Sequence, residues 1–504
     1  MQTIHNTTRR LFAACGLVAT LTVPTAMAAS PTKPYGDPNI CTAPASWFTA
    51  DPGIPTEVPN NGNDFCDFYQ FTWQSFLSLM WPVSGNTDPT NNNAMVRNFA
   101  DTTQYPLFEF NPDGSPANSC DNKITGSILK TALQKDGSFV HGEAGGGDVI
   151  FDQNGNIAYY DMRFSRNMCT DADKIKNATN FPGGTTELKT AWRVLDISDK
   201  NIGNYLIWHK PPGLPKPKEN EKEKVLALIG FHFAIATPNH PEFIWATFEH
   251  NSNAPDCNKP AQTNGWSFTS TQCATALQTG DNTAMSKCMN QAKPNDTLTG
   301  VPTEICRVYP NGTDPSDLKA GENVADITSM NTSVKNQVTG AMAVLKNYFN
   351  VGSIWVSDIS KDSTLVTEVN GKTQGDISNQ RGSLRLANTV AETTFQWVDT
   401  NAETNGGFAS NCFGCHSYEG TADIKNKNTT SGLLSHIFDD IVVGMGKCVD
   451  VQAGPIFDQT DAAAKCNAKQ SPQGACPNLG LAWNGQWTTT QAGQMSVCGC
   501  CAAK

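Results

Sequence analysis

The sequence predicts an α+β protein: a large mixed body with an antiparallel sheet and flanking helices, followed by a small disulfide-rich α+β module. Three observations carry this. Strand-like runs with hairpin signals crowd the middle of the chain, helical periodicity brackets them, and from Cys448 the composition turns to Cys, Gly and Gln.

The N-terminus "MQTIHNTTRRLFAACGLVATLTVPTAMAAS" sets Arg9 and Arg10 before an apolar stretch over 11–23 and a small-x-small site at Ala26-Met27-Ala28. This is the pattern of a secretory signal over 1–28, and it implies a periplasmic or extracellular protein. Residues 8–12 also fit a twin-arginine signal, so both export routes stay open. Arg9 and Arg10 leave with the signal and no acid does, so the formal charge of −11 becomes −13. An acidic chain with no basic stripe argues against nucleic acid or an anionic membrane as partner. No later run approaches the 18 or so apolar residues of a transmembrane helix.

In the body, over 29–446, "FCDFYQFTWQSFLSLMWP" repeats Phe65, Phe68, Phe71, Phe76 and Leu79 at near-helical spacing until Pro82 stops it. A buried helix is expected there, its aromatic stripe forming core. In "DVIFDQNGNIAYYDMRF", Asn154-Gly155 between β-branched and aromatic runs signals a hairpin. "TELKTAWRVLDI" and "NYLIWHK" read as strands, and "KVLALIGFHFAIATPNHPEFIWATFEH" as two more joined by a Pro-Asn-His-Pro turn. Residues 251–310, with Cys257, Cys273, Cys288 and Cys306 at wide spacing, read as a disulfide-pinned insertion. Helical periodicity returns in "SVKNQVTGAMAVLKNYF" and "GSLRLANTVAETTFQWV".

Next comes "SNCFGCHSY". Two cysteines three apart can each form a thioether to a haem vinyl group, and the adjacent histidine then falls on the iron. A zinc site needs a second short-spaced Cys/His pair, and a thiol redox motif needs a strand-helix context; neither is present. One covalent haem c held by Cys412, Cys415 and His416 is therefore expected. For the sixth position His436 in "SGLLSHIFDDIVVGM" is favoured, with Met445 or an open site as alternatives. His232 and His250 lie on predicted strands and read as satisfied core histidines. The other fourteen cysteines outside signal and motif are even in number, and disulfides are their default use in an oxidising compartment.

The stretches "WQSFLSLMWP", "ELKTAWRVL", "FIWATFEHNSNAPD", "LANTVAETTFQW", "NCFGCH" and "LSHIF" together resemble a family of exported bacterial mono-haem c-type proteins, across most of 64–445. That resemblance implies haem c and redox chemistry and no particular substrate.

The tail, over 447–504, holds "AGPIFDQTDAAAKC" and "AWNGQWTTTQAGQMSV". Strands at "CVDVQAGPIF", "GQWTTT" and "QMSVCGC", with a short helix near Asp461, make a small sheet-and-helix module. Cys448, Cys466, Cys476, Cys498, Cys500 and Cys501 are expected to staple a core too small to hold itself. Ala453-Gly454-Pro455, Gly485-Gln486-Trp487-Thr488-Thr489 and Met495-Ser496-Val497 resemble one repeat of the mannan-binding (MVL-type) lectins. The resemblance implies an oligomannose-type ligand and binding residues at Phe457, Asp458, Gln486, Trp487, Thr488 and Thr489. An aromatic face against a pyranose with amides and hydroxyls beside it is what sugar recognition needs. The family has Trp where this chain has Phe457, and Asn-rich contacts where it has Asp458 and Gln459, a departure that bears on ligand choice.

The functional expectation is an exported c-type cytochrome passing electrons to or from an unknown redox partner, with a carbohydrate-binding tail. Two alternatives accompany it. One is a haem-dependent peroxidase or oxygenase acting on a small or glycan-linked substrate, favoured by a body larger than an electron carrier needs. The other is a glycan-binding protein whose haem is structural.

Overall fold

The computed structural model describes residues 41–501 except 86–90, 110, 112–115, 122–148, 178–180, 212–213, 215–220, 259, 281–299, 358–365, 370–371, 376–379, 394–395, 397–410, 417–433, 436, 469–473 and 479–480. The signal segment over 1–28 thus lies outside the described residues.

The helices, in chain order, are α1 (Phe65–Leu79), α2 (Asn167–Thr170), α3 (Ala172–Asn177), α4 (Thr271–Thr279), α5 (Ala320–Gln337), α6 (Cys412–His416), α7 (Phe438–Gly444), α8 (Gln459–Asn467) and α9 (Ala475–Asn478). The strands are β1 (Tyr159–Phe164), β2 (Thr186–Asp196), β3 (Ile207–Trp208), β4 (Lys224–Ile235), β5 (Ile244–His250), β6 (Tyr348–Val356), β7 (Val366–Val369), β8 (Lys372–Gly375), β9 (Gln380–Gly382), β10 (Cys448–Gly454), β11 (Ala482–Gln491) and β12 (Met495–Cys501).

The body is built on an antiparallel sheet of order β1-β2-β4-β5-β6-β9, with β3 beside β4. Its register sets Met162 against Lys189, Lys189 against His232, His232 against Thr247, and Thr247 against Gly352. Successive side chains alternate between faces, so each strand serves two cores. Phe231, Phe233 and Phe248 point to α1 and α5, whereas Trp245, Ile354 and Phe164 point to the segment carrying α6 and α7.

The expected aromatic helix is α1. Asp64 caps it through a reciprocal box, accepting from the Asp67 amide at 3.2 Å while Asp67 accepts from the Asp64 amide at 3.2 Å. Its stripe is core: Phe76 stacks on Phe248 at 3.9 Å and Phe68 on Trp355 at 3.9 Å. Each such fully buried Phe stabilises the fold by about 1.5–3 kcal/mol.

The strand readings at β2, β3, β4 and β5 all hold. At Asn154-Gly155 an antiparallel bridge joins Phe151 to Ile157, and Gly155 takes a φ of +76° that a side chain would disfavour. Cys257 bonds Cys306, and Cys273 is also disulfide-bonded, as a pinned insertion requires. The segment "SVKNQVTGAMAVLKNYF" is split: its first part ends α5, a 3₁₀ stretch covers Gly340–Asn347, and β6 begins at Tyr348.

The helix expected over "GSLRLANTVAETTFQWV" does not form among the described residues, which are turns lying on the sheet. The Asn388 side-chain Oδ1 accepts from the backbone amides of Val390 and Ala391, and its Nδ2 donates to Thr247 Oγ1 at 2.7 Å. The Thr389 amide donates to Glu249 at 2.7 Å. These bonds hold the backbone in a local alternative to the helical ladder.

In the tail, β10-β12-β11 form an antiparallel sheet covered by α8 and α9. Cys448–Cys501, Cys466–Cys498 and Cys476–Cys500 staple it, which uses all six cysteines singled out from sequence. The inner face, with Val449, Cys498 and Cys500, shares one apolar cluster with Cys412, Phe413, Phe438 and Ile441 of the body. Lys447 also pairs with Asp173 at 2.8 Å.

Candidate functional site

Two places collect chemistry-bearing residues. The first is α6 on the Trp245 face of the large sheet. Asn411, just before it, donates to Gln380 Oε1 at 2.8 Å and to the Leu384 carbonyl at 3.0 Å, tying the helix to β9. Cys412 and Phe413 are buried, and His416 ends the helix half-buried. His416 Nδ1 lies 2.9 Å from the Leu434 carbonyl oxygen. A carbonyl only accepts, so Nδ1 carries the proton and Nε2 keeps a lone pair. The Trp245 ring lies 4.2 Å from the His416 ring, inclined by 49°.

Polar groups line the same sheet face. Glu187 on β2 bonds with Ser435, and burial pushes its carboxyl up to about 7. His232 on β4 has its ring 5.8 Å from Trp245 and its Nδ1 3.9 Å from Glu392 Oε1, too far for a hydrogen bond. Burial holds its pKa below the usual value; Glu392 works against that and Lys189 reinforces it. Glu187 Oε1, His232 Nδ1 and Gln380 Nε2 are all buried without a hydrogen-bond partner among the described residues.

His436 lies outside the described residues, as does the side chain of Cys415. Met445 follows α7, half-buried against the cluster that contains Cys412 and Phe413. His250 is a core histidine, as expected: Nδ1 meets Ser252 Oγ at 2.8 Å, Nε2 meets the Asn204 carbonyl at 3.0 Å, and burial lowers its pKa to about 3.

The second place is the junction of α8 with β11. Asp458 caps α8, accepting from the amides of Thr460 and Asp461 at 2.9 and 2.8 Å. Trp487 Nε1 donates to Gln459 Oε1 at 2.9 Å, and Gln459 Nε2 donates to the Gly485 carbonyl at 3.2 Å. Phe457 is 70% exposed, with Lys465 Nζ 5.6 Å from its ring. Along β11 the half-buried Trp483, Gly485 and Trp487 alternate with the exposed Asn484, Gln486 and Thr488. Trp487 shares a side with Gln459, whereas Thr488, next to it in the regular part of the ladder, points the other way, and Gln486 is exposed within the bulge between Trp483 and Trp487. Thr489 returns to the Trp487 side, opposite Ser496, whose hydroxyl lies 3.3 Å from its own.

Residues 459–500 match the family of mannan-binding protein. Over those residues the tail is similar to a mannan-binding lectin domain. The match takes in Gln486, Trp487, Thr488 and Thr489, stops just short of Phe457 and Asp458, and includes no part of the body. Neither a curated protein nor a solved structure matches the chain. Gln459, which accepts from Trp487, was not among the expected binding residues; the signal for it was its place on the first turn of a helix capped by Asp458, whereas Lys465 sits in the last turn of that helix beside the Phe457 ring.

Proposed function

We propose that this is an exported protein that binds mannan-type glycans through its lectin module and exchanges electrons through one haem c held by Cys412, Cys415 and His416. The observation that carries the haem half is the His416 Nδ1 bond to the Leu434 carbonyl, which leaves Nε2 as the ligating nitrogen. Orphaned polar atoms of Glu187, His232 and Gln380 on the same sheet face fit a bound group with polar edges. Bound there, the haem supplies reversible one-electron exchange. Asn411 anchors the attachment helix, Phe413 and Trp245 exclude water from it, and Leu434 holds the histidine proton.

The test is a pyridine haemochrome assay on protein matured with the covalent haem machinery, beside Cys412→Ala. The parent is expected to retain haem after denaturing extraction and the variant to lose the normal two-thioether spectrum; a parent without covalent haem sinks the reading. Glycan-array binding to oligomannose tests the lectin half.

The confinement of the family match to the tail favours a second reading, a glycan-binding protein whose haem is structural. Voltammetry separates the two, because only the electron-transfer reading expects a reversible wave.

A further inference from the structure

We infer that Trp245 is a positioning residue for the His416 imidazole, and that a strained turn aims it; this rests on the haem reading above. Trp245 is only 1% exposed, and its ring packs on that of His416 at 4.2 Å. Phe413, from the attachment helix itself, lies 6.1 Å away on the same indole, so Trp245 touches α6 at both ends. The indole is held in turn: Nε1 donates to the Glu242 carbonyl at 3.4 Å, and the Phe243 ring meets it edge-on at 5.6 Å and 89°.

Phe243 has a φ of +72° and is fully buried. A bulky residue in the left-handed region costs of order 1–3 kcal/mol and persists only where the surroundings enforce it. Here they do. Thr237 and His240 close the turn between β4 and β5 with reciprocal backbone bonds of 3.1 Å. Glu57, from far along the chain, accepts from Thr237 Oγ1 at 2.7 Å and the Asn239 amide at 2.8 Å. The conformation wedges Phe243 between Phe181, stacked at 4.7 Å, and Trp245. The Leu434 carbonyl sets which nitrogen of His416 is protonated. Trp245 sets how the ring turns about that bond and keeps water from it, two levers by which surroundings tune a haem potential.

The experiment compares the haem-loaded parent with Trp245→Leu, Trp245→Phe and Phe243→Gly, reading covalent haem content, midpoint potential and the ferric EPR spectrum. In Trp245→Leu, haem content is expected to match the parent, while the potential falls enough to change the ferric-to-ferrous ratio about threefold or more at fixed potential, and the EPR lines broaden. Trp245→Phe is expected to restore most of both. Phe243→Gly tolerates the backbone and removes the wedge, so it moves the potential in the same direction by less. Should Trp245→Leu fail to fold, Phe243→Gly decides. Unchanged potential and EPR spectrum at full haem content overturn the assignment of Trp245 while leaving the haem reading intact; a parent without haem overturns both.

Discussion

His416 Nδ1 and the Leu434 carbonyl oxygen stand 2.9 Å apart, joining α6 to the residue just before Ser435 and α7. One hydrogen bond therefore decides the tautomer of the histidine on which the proposed ligation depends. In haem-free protein with ¹⁵N-labelled histidine, long-range ¹H–¹⁵N spectra are expected to show His416 as the Nδ1–H form. A dominant Nε2–H form would contradict the arrangement, since Nδ1 would then have no proton to give Leu434.

His250 predicts an acid limb in the stability curve. Its imidazole is buried, stacked on Tyr205 at 3.9 Å and bonded at both nitrogens, and its pKa falls to about 3. The unfolded chain binds this proton near pH 6.5 and the folded chain only near pH 3, so the stabilisation is complete above 6.5 and is lost as pH falls through that window. The expected loss is roughly 4 kcal/mol by pH 3. His250→Phe keeps the stacking, costs about 1–2 kcal/mol at neutral pH, and flattens the limb. Asn204 and Ser252 retain partners in Asn347 and Tyr205, which keeps that neutral cost small. Denaturant unfolding from pH 3 to 7 measures both effects, and parallel curves for parent and variant would refute the assignment.

The tail module depends on its bridges. They close loops with separations of 53, 32 and 24 residues. Each constrains the unfolded chain by about 3–4 kcal/mol in the chain-entropy account, comparable to the whole stability of so small a core. Cys476→Ser with Cys500→Ser is expected to lower the stability of the module by about 3 kcal/mol. Mannan binding in mild urea should then fail well before that of the parent. Equal urea midpoints for binding would show that the shared core with Phe413 and Phe438 carries the module instead.

Local signals in the sequence reached as far as local forces rule. The aromatic period of α1, the alternation in β4 and β5 and the turn at Gly155 were legible because each follows from the residues that form it. The segment around Asn388 read as helix and is not one, because Thr389 answers to Glu249 across 140 positions, beyond any periodicity. The Cys-x-x-Cys-His spacing was legible too, yet the groups against His416 were not: the Trp245 ring comes from a distant strand, and the Leu434 carbonyl lies 18 residues further on. In the tail the residues of the family match were legible, but the register shift between Trp483 and Trp487, and the alternation that sets Thr488 opposite Trp487, depend on pairing with β12 and were not.

That alternation divides the residues of β11 between two faces, which a glycan would meet unequally. If glycan binds where Trp487, Gln459 and Phe457 converge, Gln459→Ala removes both the acceptor for Trp487 Nε1 and the bond to Gly485. Affinity for oligomannose is then expected to fall about tenfold, or about 1.4 kcal/mol, with little change in melting temperature because these groups are exposed. Phe457→Ala is expected to act similarly, since a ring 70% exposed contributes little to folding and offers its face to a sugar. Gln486→Ala and Thr488→Ala should change affinity less than about twofold, Thr488 lying on the far side of the strand and Gln486 being exposed in the bulge beside it. Titration calorimetry with a mannose oligosaccharide ranks the four variants. A loss for Gln486→Ala as large as that for Gln459→Ala would move the site to the outer face of the sheet, where Asn484 lies against Gly499.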